Sequence, residues 1–239
     1  MKLFSRKKEQ PPIYHVTAII AAAGSSSRMG GADKLFSGIG GCPVLALALL
    51  AFENSEYVGD IIVATAEHNI VPVSDIAKAY GITKLVHIVK GGETRQQSVA
   101  SALAFLSGQT THIAIHDAAR PLVTSKIISD AVETALEYHA AAPLVSVKDT
   151  IKEAHDGAIT RTVPRGNLYA VQTPQVFERA LYERALRGAQ RNQLTVTDDC
   201  EIVEILGAKV YMVDGSYENI KITTPEDVAI AEAILAARG

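Results

Sequence analysis

Arg28 and Lys34 stand six residues apart in a loop of small residues, and together they point to a phosphate ligand. The run at 19–34 reads I-I-A-A-A-G-S-S-S-R-M-G-G-A-D-K. Its apolar head ends in Ala21, Ala22, Ala23 and Gly24, whose lack of bulk lets a ligand approach the backbone, and Ser25 opens a stretch of free amides. An always-charged guanidinium and an ammonium follow, a pairing that suits a triphosphate better than a neutral ligand. The loop is neither of the two common phosphate loops. The mononucleotide pattern G-x-x-x-x-G-K-[ST] fails because five residues separate Gly24 from Gly30 and Gly31, not lysine, comes next. The dinucleotide pattern G-x-G-x-x-G fails because Ser26 occupies its second glycine position.

Three further runs carry groups of the right kind. G-G-E-T-R-Q-Q-S at 91–98 sets Glu93, Arg95 and Ser98 beside Gly91 and Gly92. A glycine pair serves a plain strand-to-helix turn equally well, but it also admits a base or ribose against the backbone. H-D-A-A-R-P at 116–121 ends an apolar run in Asp117, where a magnesium ion bridging phosphates needs a carboxylate. The alternatives are a turn aspartate, or a partner for Arg120. N-I-K-I-T-T-P-E-D at 219–227 places Lys221 on an expected strand, with Asn219, Lys221 and Thr223 on one face and Ile220 and Ile222 on the other. An ordinary surface lysine fits that position too. The seven histidines show no H-x-x-x-H spacing, and His87, His112 and His116 read as core or turn residues. Ser25, Ser26 and Ser27 sit in no G-x-S-x-G elbow, so serine hydrolysis has no support.

The elements that must hold these groups alternate. An apolar strand at 16–23 is followed by a helix from Pro43 to about Asn54, a strand at 60–65, a helix at 74–80 and a strand at 84–89. A helix at 94–106 carries Val99, Leu103 and Leu106 on one side. A strand at 111–116 leads to Asp117, Thr124 caps a helix to about His139, and 143–148 is a fifth strand. At 149–167 the pattern changes to two short runs around Asp156-Gly157, the D-G signal of a hairpin arm. The chain returns through Q-T-P-Q into a helix expected near Pro174, then a helix at 198–206, a strand at 209–213, and a final helix with Thr224 as cap and Pro225 at its first position. Such alternation predicts an α/β fold with a doubly wound, mostly parallel sheet, whose ligands bind at the carboxyl ends of the strands. It further suggests a flexible leader at 1–13 and a single domain at 14–239 with the arm inserted at 149–167. A lone two-stranded arm is marginal in water, so a second subunit is the expected cover.

Composition narrows the class. An apolar fraction of 48% is ample for a core, and a net charge of −3 argues against nucleic acid or a membrane surface as partner. Cys42 and Cys200, far apart and without C-x-x-C, point to neither zinc nor a disulfide scaffold. The basic N-terminal start reaches Pro11 and Pro12 before any long apolar run, which disfavours a signal peptide. A cytoplasmic protein is the expectation.

Taken in order, A-A-A-G-S-S-S-R-M at 21–29, Lys34, the runs at 91–98 and 116–121, V-K-D-T-I-K at 147–152, Q-T-P-Q at 172–175 and the run at 219–227 resemble the 2-C-methyl-D-erythritol 4-phosphate cytidylyltransferases. The likeness extends from about Val16 to the C-terminus. It implies a Rossmann-like sheet, a homodimer made through the arm, and Mg2+. It further implies that residues 21–29, including Ala21, Ala22, Ala23, Gly24 and Ser25, wrap CTP, and that Arg28, Lys34 and Lys221 are catalytic. Gly92, Glu93, Arg95 and Ser98 would bind the nucleotide and Asp117 the metal. Arg120, Thr150, Arg165 and Thr173 would bind methylerythritol phosphate, Arg165 reaching into the partner's site. The sequence departs from the pattern at Pro164, where an acid often stands, and at Glu93 and Glu218, where aspartate is common. Two rivals remain. A ribitol-5-phosphate cytidylyltransferase shares the loop, H-D-A-x-R-P and Q-T-P-Q, although Ala22-Ala23-Gly24, Ala119 and V-K-D-T-I-K favour methylerythritol phosphate. The other is a nucleotide-binding module without turnover, against which the crowding of Arg28, Lys34, Asp117 and Lys221 counts.

Overall fold

The apolar, β-branched runs pair as the alternation predicts. The computed structural model describes residues 14–24 and 35–238, so Ser25, Arg28 and Lys34 and the expected leader lie outside the described residues. Strand β1 (Val16–Ala22) is central, with β4 (Val58–Thr65) and β6 (His112–Asp117) parallel on either side and β5 (Leu85–Lys90) parallel beyond β4. Short strands β2 (Gly38–Ile39) and β3 (Cys42–Pro43) form a separate pair. Beyond β6 the sheet continues through antiparallel β11 (Gln175–Glu178) to β7 (Ala140–Ser146). Strand β10 (Tyr169–Val171) runs antiparallel to the end of β7, and β12 (Tyr211–Asp214) runs parallel to it.

Helices cover both faces, because β1 is buried on both. Val16, Ala18, Ile20 and Ala22 pack with α1 (Val44–Glu53), α2 (Ile70–Ala79), α4 (Ser125–Tyr138) and Ala231 of α7 (Pro225–Arg238). Ile19 packs on the opposite side with α3 (Arg95–Leu103), α5 (Arg179–Arg191) and α6 (Asp199–Ile205). The local signals held where they were strong. Thr124 caps α4 by accepting from Ile127 N–H at 3.3 Å. The D-G hairpin joins β8 (Ile151–His155) to β9 (Ala158–Val163), with Asp156 at φ 51° and Gly157 at φ 77°, the left-handed pair that such a turn requires. Among the described residues no helix is long and apolar enough to cross a membrane, and Cys42 and Cys200 are free thiols.

Two expectations are corrected. The helix expected near Pro174 begins at Arg179, and Gln175–Glu178 is instead a strand. Val176 and Phe177 are fully buried and lie in opposite core clusters, so these residues need neighbours on both faces, which a sheet interior supplies. The segment at 219–223 is not a strand but an irregular connection, and Asn219 is fully buried rather than on the exposed face with Lys221.

Candidate active site

Parallel register brings the chemistry-bearing residues to one edge. Ala21 pairs with Asp117 across β1 and β6, Ala22 with Thr65 across β1 and β4, and Thr65 with Lys90 across β4 and β5. The loops that leave these strand ends enclose a cleft of about 350 Å3, in the range that holds small molecules. Ala21, Ala22, Ala23, Gly24, Gly92, Glu93, Arg95, Ser98, Asp117 and Lys221 all line it. Thus four stretches far apart in sequence meet in one cleft. Thr94 joins them, and Leu35 and Ala119 add apolar wall.

The glycine loop is fixed by packing as well as being open to a ligand. Gly91 N–H donates to the Thr65 carbonyl at 2.8 Å, and a Cβ on Gly91 would come within 2.5 Å of the Ala23 side chain and 2.8 Å of Ser98 Oγ. Ser98 is buried; its hydroxyl donates to the Thr94 carbonyl at 2.9 Å and accepts from Gly92 N–H at 3.1 Å. Thr94 and Gln97 form a capping box, and Gln97 Oε1 also accepts from Glu93 N–H at 2.8 Å. The start of α3 is thereby locked before any ligand is considered.

Asp117 is the electrostatic centre. It is 8% exposed, with Lys221 Nζ 2.7 Å from Oδ2, Arg95 Nε 3.0 Å from Oδ1, and Arg120 Nε 3.8 Å from Oδ2. Burial alone would raise its carboxyl, but Arg95, Lys221 and then Arg120 hold it well below the usual carboxylate range. The backbone N–H of Asp117 donates to Thr173 Oγ1 at 3.1 Å, and that hydroxyl meets His116 Nδ1 at 2.9 Å. His116 is fully buried, its other ring nitrogen 3.1 Å from the Arg120 carbonyl; burial lowers its pKa to about 4, so it is a neutral wiring residue. The core reading of this histidine holds, with the addition that it ties Thr173 to the Asp117 loop.

The residues expected on the second substrate lie outside the cleft lining. Arg120 is anchored by the protein itself, donating to the Asn219 carbonyl at 2.7 Å and reaching the Val171 carbonyl at 3.5 Å. Thr173 is buried on Asp117 and His116. Thr150 and Arg165 are exposed at the root of the arm, where Arg165 donates to the Lys148 carbonyl. A connected set lies behind Lys221: Asn219 Nδ2 donates to Gln172 Oε1 and the Thr173 carbonyl, and Ile222 N–H donates to the Ala119 carbonyl at 2.7 Å. These bonds join the 172–175, 116–121 and 219–227 runs into one unit.

Sequence reasoning assigned no role to Asp199 or Tyr182, yet both are joined to the site through Arg95. Arg95 Nη1 donates to Asp199 Oδ2, and Tyr182 Oη donates to Asp199 Oδ1 at 2.6 Å. The one available signal was the pair of acids at the start of α6. Asp198 caps that helix, accepting from Glu201 N–H at 3.0 Å, which leaves Asp199 without a capping duty.

The donor set also bears on a metal. Among the described residues no group of three or more His, Cys, Asp or Glu could hold an ion by itself. Magnesium is commonly held by one or two carboxylates together with substrate phosphates; Asp117 and Glu93 line the cleft, and an ion on Asp117 would share its oxygens with Arg95 and Lys221.

The family model described as IspD, 2-C-methyl-D-erythritol 4-phosphate cytidylyltransferase, matches residues 16–237. A curated protein of that name from Halalkalibacterium halodurans is 45% identical over 223 residues, covering 93% of this chain and 97% of that one. A solved structure of 4-diphosphocytidyl-2C-methyl-D-erythritol synthase from Anaerococcus prevotii superposes with a TM-score of 0.83 at 29% identity, covering 93% of this chain and 96% of the other. The 2-C-methyl-D-erythritol 4-phosphate cytidylyltransferase of Thermus thermophilus does so with a TM-score of 0.76 at 33% identity, over 93% and 99% of the two chains. This chain belongs to the 2-C-methyl-D-erythritol 4-phosphate cytidylyltransferase family.

Proposed function

We propose that the protein transfers the cytidylyl group of CTP to 2-C-methyl-D-erythritol 4-phosphate, forming 4-diphosphocytidyl-2-C-methyl-D-erythritol and pyrophosphate for isoprenoid precursor synthesis in the cytoplasm. The observation that carries this reading beyond family membership is the cleft: small residues on one wall, and a carboxylate under Arg95, Lys221 and Arg120 facing them. In it the 4-phosphate oxygen attacks the α-phosphorus in line, the α–β bridging P–O bond breaks, and its electron pair leaves on pyrophosphate. The nucleophile is already an anion, so no general base is needed. Catalysis reduces to holding two mutually repelling phosphates together and neutralising the charge that moves to the leaving group.

The roles follow from place and charge. Residues 21–25 pack against the triphosphate, and Arg28 and Lys34 meet its developing charge. Gly92, Glu93, Arg95 and Ser98 surround the base and ribose, and Lys221 sits at the α-phosphate. Magnesium held on Asp117 would supply charge neutralisation at the phosphates. Arg120 and Thr173 present the Asp117 loop to the second substrate, while Thr150 and Arg165 hold that substrate directly. The arm supports a homodimer: its strands pair with each other, and Ile159 on it is 68% exposed, apolar surface that a second copy would cover.

Mixing protein, CTP, magnesium and methylerythritol phosphate should release pyrophosphate. Ribitol 5-phosphate in place of the methylerythritol compound should give little, and the reverse preference would install the rival substrate. In the same assay Arg165→Ala should raise KM for the sugar phosphate by roughly tenfold or more, as for loss of a hydrogen-bonded charge contact, with KM for CTP nearly unchanged. A rise in KM for CTP instead would place the arm wrongly.

A further inference from the structure

Arg95 does not stand alone in the cleft. It begins α3, where the capping box fixes the backbone, and its guanidinium spans two carboxylates: Nε on Asp117 at 3.0 Å and Nη1 on Asp199. Asp199 is 1% exposed and begins α6. Its own position is fixed three ways. Tyr182 Oη, fully buried in α5, donates to Oδ1 at 2.6 Å; Asp199 N–H donates to Gln175 Oε1 at 3.0 Å; and Cys200 N–H donates to the same oxygen at 3.2 Å. Gln175 is held in turn, its Nε2 donating to Asp198 Oδ2 at 2.8 Å.

Burying a carboxylate this deeply is costly without a partner. Stability gives little reason to retain one, since apolar residues of similar volume often serve as well. What the arrangement does supply is aim. A guanidinium is a planar fork, and two carboxylates at its two edges fix its plane as well as its place. Burial pushes the Asp199 carboxyl up, while the guanidinium and the Tyr182 hydroxyl oppose that, and Arg95 is held firmly protonated between its two anions.

We infer that Asp199 is a positioning residue: backed by Tyr182, it holds the Arg95 guanidinium in the plane that orients Asp117 in the cleft. Asp199 touches no substrate; it acts through Arg95. The inference rests on the cleft reading above, since it gives Asp117 work to be oriented for.

Misplacement of a catalytic group by about 1 Å can cost on the order of 100-fold, and partial loss of aim is expected to cost less. Asp199→Asn should therefore lower kcat by roughly tenfold, with a smaller change in KM for CTP. Tyr182→Phe, which keeps the ring in the core, should lower kcat in the same direction by a smaller factor. In an Arg95→Ala background Asp199→Asn should change kcat hardly at all, because the residue it acts through is gone. Millimolar guanidinium should restore part of the Arg95→Ala activity, and that rescue should vanish in Arg95→Ala/Asp199→Asn. All variants are compared at a temperature where circular dichroism shows them folded. Additive losses in the double variant, or rescue that survives without Asp199, would overturn the inference. Asp117→Asn separates the two readings: full turnover in that variant defeats the cleft assignment itself, whereas loss there with an unaffected Asp199→Asn defeats only the relay.

Discussion

Asp117→Asn is expected to lower kcat by on the order of 100-fold or more, the effect of removing one preorganised charge from a water-poor site. Asparagine keeps the shape and can still accept through one oxygen, so the change isolates the charge. In the parent that charge is shared by Lys221, Arg95 and Arg120. Without it, three cations face one another across the carboxyl edge of β6, and only Arg95 keeps a second carboxylate, Asp199. The same substitution should thus destabilise the fold by about 3–5 kcal/mol, as for a buried pair that loses one partner. Urea denaturation read by circular dichroism measures the second effect, and single-turnover pyrophosphate release in the folded protein measures the first. Turnover near that of the parent would remove Asp117 from the chemistry. Unchanged stability would mean that the cations find solvent more easily than their burial implies.

How much of this was legible beforehand depended on the range of the interactions. Asp156-Gly157 announced a hairpin because a turn is decided within four residues, and Thr124 announced a helix start because its partner is Ile127. Ala21 through Gly24 and Asp117 were placed correctly at the sheet edge, since the carboxyl ends of parallel strands share one side and a short apolar run shows where a strand stops. Gln175–Glu178 was misread because Pro174 is a good helix-start signal, while burial on two faces, which decides for a strand, comes from β6 and β7 and is written elsewhere in the chain. Asn219 was put on the wrong side for the same kind of reason: its partners Gln172 and Thr173 come from a different segment. Asp199 escaped altogether, because the residue that explains it, Arg95, lies more than a hundred positions earlier and the pair exists only after α3 and α6 have packed on one face.

Arg28→Ala and Lys34→Ala are each expected to lower kcat by a factor on the order of 100 or more while leaving the thermal midpoint nearly unchanged. The structure sharpens this expectation although both residues lie outside the described segments. Among the described residues lining the cleft the cations are Arg95 and Lys221. Arg95 is divided between Asp117 and Asp199, and Lys221 is on Asp117 at 2.7 Å. Arg120, just behind, donates to the carbonyls of Asn219 and Val171. Each of these charges already has a protein partner, so the charge that Lys221 offers the α-phosphate is shared with Asp117 and leaves little for the leaving pyrophosphate. The charge that develops on a departing pyrophosphate calls for further cations, and the sequence supplies Arg28 and Lys34 in the run that follows Ala21–Gly24. The two substitutions should therefore depress kcat more than they raise KM for CTP, because the charge they answer grows in the transition state. Lys34→Arg, which keeps the charge and changes its shape, should recover part of the loss. If both alanine variants turned over at the parental rate, the matched cations of the sheet edge would have to carry the leaving group alone, and Lys221 would have to exchange Asp117 for phosphate in every cycle.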